Sequence, residues 1–161
     1  MNSKVYKINN LEELEKLAQE LLKKLHLPAI VLLSGDLGAG KTAFVKAMGK
    51  ALKIKETITS PTFNLMNTYS CRFKKDKIAF IHLDLYRLAN DSDISDLNLL
   101  DASKNLKFLA FIEWSEKVRY DWFIYNANLY QFFFKIDFNK KKYGNNISEM
   151  PRTIKISKRS K

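Results

Sequence analysis

The run Gly35-Asp36-Leu37-Gly38-Ala39-Gly40-Lys41-Thr42 constrains this chain more than any other segment, because three of only five glycines fall within six residues. Upstream, Ala29-Ile30-Val31-Leu32-Leu33 reads as a short buried strand; downstream, Ala43, Phe44, Ala47, Met48, Ala51 and Leu52 recur at helical spacing. A glycine-rich turn between strand and helix matches G-x-x-x-x-G-K-[ST], the phosphate-binding pattern. Backbone N–H groups converge on a polyphosphate only where no Cβ blocks the approach, and a helix start adds unpaired amides and its positive dipole end. Gly35, Asp36, Leu37, Gly38, Ala39, Gly40, Lys41 and Thr42 are therefore the expected nucleotide-binding residues. Lys41 is expected to reach the β- and γ-phosphates, and the Thr42 hydroxyl to take a Mg²⁺ position.

A phosphate loop alone only binds; hydrolysis or transfer also needs acids that hold Mg²⁺ and place the attacking oxygen. Asp84 and Glu113 each close an apolar run, from Ile78 and from Phe108, and ligands in open α/β sheets lie beyond the carboxyl ends of strands. Period-two alternation puts His82, Asp84 and Tyr86 on one face and Leu83 and Leu85 on the other. His82 reads either as a hydrogen-bonded core residue or as a proton-transfer group, and no second histidine nearby in sequence suggests zinc. Tyr86 and Arg87 are open to substrate, partner, packing or solvent, and Trp114 reads as core or interface rather than as an adenine-stacking residue.

At 161 residues the chain is expected to form one domain spanning 1–161, with a basic tail at about 158–161. Leu11, Leu14, Leu17, Ala18, Leu21, Leu22 and Leu25 form one helical stripe, which Asn10 and Glu13 open as a capping pair and Pro28 ends. Strands are predicted over 63–69, from 78 to 84, over 108–112, near 128–138 and over 152–157, with a turn over 72–77 and a polar helix over about 93–104. Strands alternating with helices around a phosphate loop predict an α/β fold. A mixed, mostly parallel sheet is flanked by helices, with a β-hairpin insertion.

Lysine and arginine number 28 against 17 acids, a net charge of +11 that suits a polyanionic partner such as RNA and equally a solvated lysine-rich surface. The clusters Lys140-Lys141-Lys142 and Lys158-Arg159 carry part of the excess. Cys71 is the single cysteine and reads as an ordinary partly buried thiol, which excludes an internal disulfide and a cysteine metal site; no disulfide-linked partner is expected. No signal peptide and no membrane-spanning run are recognised, so a cytoplasmic location without membrane contact is expected.

Four motifs together resemble the TsaE family, also called YjeE, a small P-loop ATPase family of bacterial tRNA threonylcarbamoyladenosine synthesis. They are the run from Gly35 to Thr42, Ser60-Pro61-Thr62-Phe63, His82-Leu83-Asp84-Leu85-Tyr86-Arg87-Leu88 and Ile112-Glu113-Trp114-Ser115-Glu116, and the resemblance covers roughly residues 5 to 120. It implies a P-loop domain that binds ATP with Mg²⁺ and works with TsaD and TsaB on the adenosine next to the anticodon; whether tRNA is reached directly or indirectly is left open. It implies that Lys41 and the loop amides hold phosphates, that Thr42 and Glu113 serve Mg²⁺, and that Asp84 supports catalysis. Slow Mg²⁺-dependent hydrolysis without transfer of the carbamoyl group is the implied activity.

Three features depart from the family pattern. Ala43 replaces a second hydroxyl after Thr42, Leu97-Asn98 stands for the usual Leu-Gly, and the last third is long and aromatic, with Phe132-Phe133-Phe134. The competing reading is a small-molecule kinase, which needs several arginines around the transferred group. Here Arg72, Arg87, Arg119, Arg152 and Arg159 are scattered.

Overall fold

The computed structural model describes residues 3–87, 107–117, 127–137, 146 and 150–158. Its strands are β1 (Lys4–Ile8), β2 (Ala29–Gly35), β3 (Met66–Phe73), β4 (Asp76–Asp84), β5 (Lys107–Glu113), β6 (Asn128–Ile136) and β7 (Arg152–Lys158). Helix α1 (Leu11–Lys24) follows β1, and α2 (Lys41–Ala51) follows β2. The strands form one sheet in the order β1-β7-β6-β2-β5-β4-β3. The central strands β6, β2, β5 and β4 run parallel. Antiparallel pairings finish both edges, β3 on β4 at one side, and β7 on β6 with β1 on β7 at the other.

Side-chain chemistry explains that division. Strands β2, β4 and β5 are buried along most of their length, as parallel strands covered on both faces must be. Strands β1 and β7 mix lysines with apolar residues, which suits an edge with one wet face. The expected mixed α/β sheet and hairpin are present, with hairpin strands β3 and β4 joined through Lys74 and Lys75.

Both described helices pack on one sheet face. Leu14, Leu17, Ala18 and Leu21 of α1 meet Phe44, Val45, Ala47 and Met48 of α2 in a cluster that includes Val31, Phe80, Phe111, Phe132 and Phe134. Phe44 is its aromatic centre, with ring centroids 5.3 Å from Phe132 and 5.7 Å from Phe134. Burial of each such side chain contributes about 1.5–3 kcal/mol. A second cluster, including Ile30, Leu32, Ile81, Leu83 and Ile112, lies on the opposite face. In β4, Ile78 and Phe80 belong to the helix face while Ala79 and Ile81 belong to the other, so alternation brings His82 and Asp84 to the helix side. Leu109 and Phe111 carry Glu113 to the same side.

Several boundaries differ from the sequence reading. Asn10 caps α1 by accepting from Glu13 N at 2.9 Å, but the Glu13 carboxylate returns to Asn9 N at 2.8 Å instead of to Asn10. Helix α1 stops at Lys24, with Leu25 already extended, so Pro28 does not end it. The third strand begins at Met66 and runs to Phe73, beyond the predicted 63–69 and into the predicted turn; Phe63 is 80% exposed. Strand β1 was not predicted, because Val5 and its lysines offer no buried pattern and β7 supplies the pairing. The predicted helix over 93–104, Leu97-Asn98, Lys140-Lys141-Lys142, Arg119 and Arg159 lie outside the described residues. Cys71 sits half-buried in β3, where burial and then Glu56 push its thiol up to about 11, a protonated and unreactive state.

Candidate functional site

Strand β2 ends at Gly35 and α2 begins at Lys41, so the glycine-rich loop spans their junction at the carboxyl end of a central parallel strand. Gly35 has φ +125°, and a Cβ there would lie 2.1 Å from the Phe134 carbonyl oxygen of β6. Only glycine lets the two strands pair at that point. Gly35→Ala is expected to lower stability by about 1–3 kcal/mol by forcing β2 from β6, checked by urea unfolding against the parent chain.

Gly40 is the N-cap of α2 at φ +101°, with no side chain to cap the helix and no acid in its first turn. The first amides of α2 thus lack the oxygen that Ser, Asp or Asn would supply at this position, at the positive end of the helix. This is the geometry that a phosphate oxygen satisfies.

Lys41 is 5% exposed, and its Nζ donates to the carbonyls of Gly35 at 2.6 Å and Asp36 at 2.9 Å. The ammonium also lies 3.8 Å from the Trp114 ring centroid. Burial pulls the Lys41 pKa below its ordinary value, with Glu113, Glu116, Asp84 and Asp36 opposing the shift. Trp114 itself adopts φ +58°, a left-handed conformation that costs a bulky side chain about 1–3 kcal/mol and turns the chain sharply after Glu113. Its ring packs 5.1 Å from Tyr86 and against the far-face cluster, so the expected packing role holds with an added contact to Lys41.

The acids lie side by side in register, Asp84 opposite Glu113. Thr42 Oγ1 donates to Glu113 Oε2 at 2.9 Å, and the other oxygen, Oε1, is 2.8 Å from His82 Nε2. Both His82 and Glu113 are buried, and His82 Nδ1 has no partner among the described residues. Glu113 accepts, so Nε2 carries the proton facing it. His82 is therefore a buried hydrogen-bonded residue that also fixes the Glu113 carboxylate.

Asp84 has different partners. Ser60 Oγ and Thr62 Oγ1 donate to its Oδ2 at 2.8 and 2.6 Å, while Tyr86 N donates to Oδ1 at 3.1 Å. It fastens the Ser60-Pro61-Thr62 segment to the end of β4 and makes no described contact with Thr42. Lys41, Thr42, Ser60, Thr62, Asp84, Tyr86, Glu113 and Trp114 line one cleft of about 360 Å³. Sequence reasoning had not assigned the Ser60 and Thr62 hydroxyls to Asp84; the polar segment was visible, but its fold-back onto β4 was not.

At the cleft mouth Arg87 stacks over the exposed ring of Phe63, its guanidinium carbon 4.2 Å from the centroid. The outer side of Gly38 and Gly40 borders a second, largely apolar cavity of about 310 Å³, formed by Ile8, Asn10, Leu11, Leu14, Phe134 and Arg152. This accounts for Leu11, 67% exposed despite its place in the helical stripe. Arg152 Nη2 donates to the Gly38 carbonyl at 3.4 Å, linking β7 to the loop. No helix among the described residues is long and apolar enough to cross a membrane.

A family model described as "Threonylcarbamoyl adenosine biosynthesis protein TsaE" matches residues 8–146. The tRNA threonylcarbamoyladenosine biosynthesis protein TsaE of Nostoc is 43% identical over 95 residues, 57% of this chain and 56% of that protein. The Rickettsia felis protein of the same name is 43% identical over 114 residues, 70% of this chain and 63% of that protein. These matches span less than two thirds of either relative's length. The crystal structure of Bacillus subtilis YdiB shares the fold, with a TM-score of 0.58 and 22% identity over 96% of this chain and 84% of that one.

Proposed function

The chain belongs to the TsaE family, and on that premise we propose that it is a slow Mg²⁺-dependent ATPase acting with TsaD and TsaB in threonylcarbamoyl adenosine formation on tRNA. The observation that carries this reading is the uncapped start of α2 beside buried Lys41 and the Thr42–Glu113 pair. A fixed ammonium beside a helix start without a side-chain cap fits a polyphosphate. A hydroxyl next to a carboxylate gives the hard oxygen donors that Mg²⁺ takes when substrate phosphates complete its shell.

In this reading the loop amides and Lys41 bind and orient the phosphates, and Thr42 and Glu113 would hold the metal. Mg²⁺, when bound, neutralises charge that develops on the phosphate oxygens. Glu113 is held in place by His82 Nε2, which leaves its second oxygen for Thr42. Asp84 supports catalysis by holding Ser60 and Thr62 at the cleft wall, a positioning role. The apolar cavity outside Gly38 and Gly40 is suited to the nucleobase, with Arg152 and Asn10 as its polar rim.

Lys41 is the cation among the described residues lining the cleft, and the loop already engages it. A second cation for the transition state is therefore expected from a partner or from ordering of Arg87, and intrinsic turnover is slow. TsaD with TsaB is expected to dock near Ser60-Pro61-Thr62 and Tyr86-Arg87. Steady-state phosphate release, alone and with TsaD and TsaB, is expected to rise on their addition without formation of a phosphorylated small molecule. Fast release by the isolated chain, unchanged by partners, would reject partner activation; a phosphorylated metabolite would favour the kinase.

A further inference from the structure

The sheet face opposite α1 and α2 is covered unevenly. Beneath β2, β5 and β4 it carries the second apolar cluster, whereas along β6, β7 and β1 its side chains are largely open to solvent. Phe133, 49% exposed, stands at the middle of that open area. Register places it directly beside Lys155, and Lys155 in turn beside Val5, itself 59% exposed. One row along, Lys135, Thr153 and Lys7 lie in line; on the other side Gln131 pairs with Ser157. An aromatic ring on an open antiparallel surface is thus bordered by three exposed lysines and by amide and hydroxyl groups.

The lysines 7, 135 and 155 form no ion pair among the described residues. Among the described residues, the acids on this face are Glu116, which shares a cleft of about 230 Å³ with Phe133 and Lys155, and Asp137, which accepts from Thr153 Oγ1 at 2.9 Å. The positive groups therefore outnumber the acids around the ring, and the chain as a whole carries +11. An acidic protein surface would be drawn by the same lysines. The exposed ring flanked by polar groups on an open sheet face is, in addition, an arrangement on which unpaired bases stack while their phosphates meet lysine.

We propose that the open face formed by β6, β7 and β1, with Phe133 as its stacking platform and Lys7, Lys135 and Lys155 around it, binds single-stranded RNA. The proposal stands apart from the nucleotide reading, because these side chains lie outside the phosphate cleft.

The test is fluorescence anisotropy of the full chain with a labelled ten-nucleotide unpaired RNA over a salt series, with thermal unfolding as the folding control. Phe133→Ala is expected to weaken binding about tenfold, and Phe133→Tyr to restore it, since stacking needs the ring and not its exact identity. Replacing all three lysines by glutamine is expected to reduce the slope of log affinity against log salt by about 2. A control pair, Lys74→Gln with Lys75→Gln in the hairpin turn at the other edge, is expected to leave Phe133-dependent binding intact. Unchanged affinity in a folded Phe133→Ala variant overturns the proposal. So does equal loss in the hairpin control, or binding of polyglutamate but not RNA through the same lysines. ATP hydrolysis by these variants, measured in parallel, separates failure of this proposal from failure of the ATPase reading.

Discussion

Lys41→Ala is expected to weaken ATP binding by about a hundredfold while leaving the fold intact. The size follows from removing a buried ammonium whose charge-assisted hydrogen bonds are worth about 1.5–3 kcal/mol each, where a little under 3 kcal/mol is a hundredfold. The fold is spared for a separate reason. Burial dominates the downward shift of the Lys41 pKa, so holding the charge in this position costs the free protein stability. The carbonyls of Gly35 and Asp36 lose a donor, but Gly35 is only half-buried and Asp36 is exposed, so water replaces it. Lys41→Met, which keeps the aliphatic contact with Trp114, is expected to melt at or above the parent temperature. Titration with ATP by calorimetry, alongside thermal unfolding, checks both parts. Parental affinity in a folded variant would sink the assignment of Lys41 to the phosphates.

The parts of the site legible in the sequence were those set by local geometry. Glycine spacing between an apolar strand and a helical stripe located the loop, and period two put His82 and Asp84 on one face, as the clusters on either side of the sheet bear out. What the sequence could not supply was contact between distant elements. Glu113 and His82 are 31 residues apart and meet only because β4 and β5 pair in parallel register. Asp84 and Thr62, 22 apart, meet because the chain doubles back before β3. Edge strand β1 escaped notice for the same reason, since its partner β7 lies near the other end of the described chain. The exposed polarity of its residues reflects that partner's open face and gives no local signal.

Glu113→Gln is expected to reduce Mg²⁺-dependent hydrolysis by about 100-fold or more, the usual consequence of removing one preorganised charged group from a reacting phosphate's surroundings. The substitution is nearly isosteric, yet its hydrogen bonding is not neutral. Thr42 Oγ1–H and His82 Nε2–H both donate to the carboxylate, one to each oxygen. An amide offers a single oxygen, so its NH₂ must face one of those donors. Facing Thr42, it makes the hydroxyl accept instead of donate, which occupies a lone pair that Mg²⁺ would take in the proposed function. Facing His82, it forces the ring to place its proton on Nδ1, an atom with no partner among the described residues. Only the second arrangement leaves a buried polar mismatch, worth about 1–3 kcal/mol, so the first is the one adopted and the loss of stability is small beside the loss of activity. The measurement that separates these effects is nucleotide affinity with and without Mg²⁺. Binding without metal is expected to stay near the parent value while the gain on adding Mg²⁺ disappears, and ¹⁵N NMR of His82 is expected to report protonated Nε2 in the parent chain. If the variant hydrolyses ATP at the parental rate in the presence of TsaD and TsaB, Glu113 only joins β5 to His82 and Thr42, and the metal is held elsewhere.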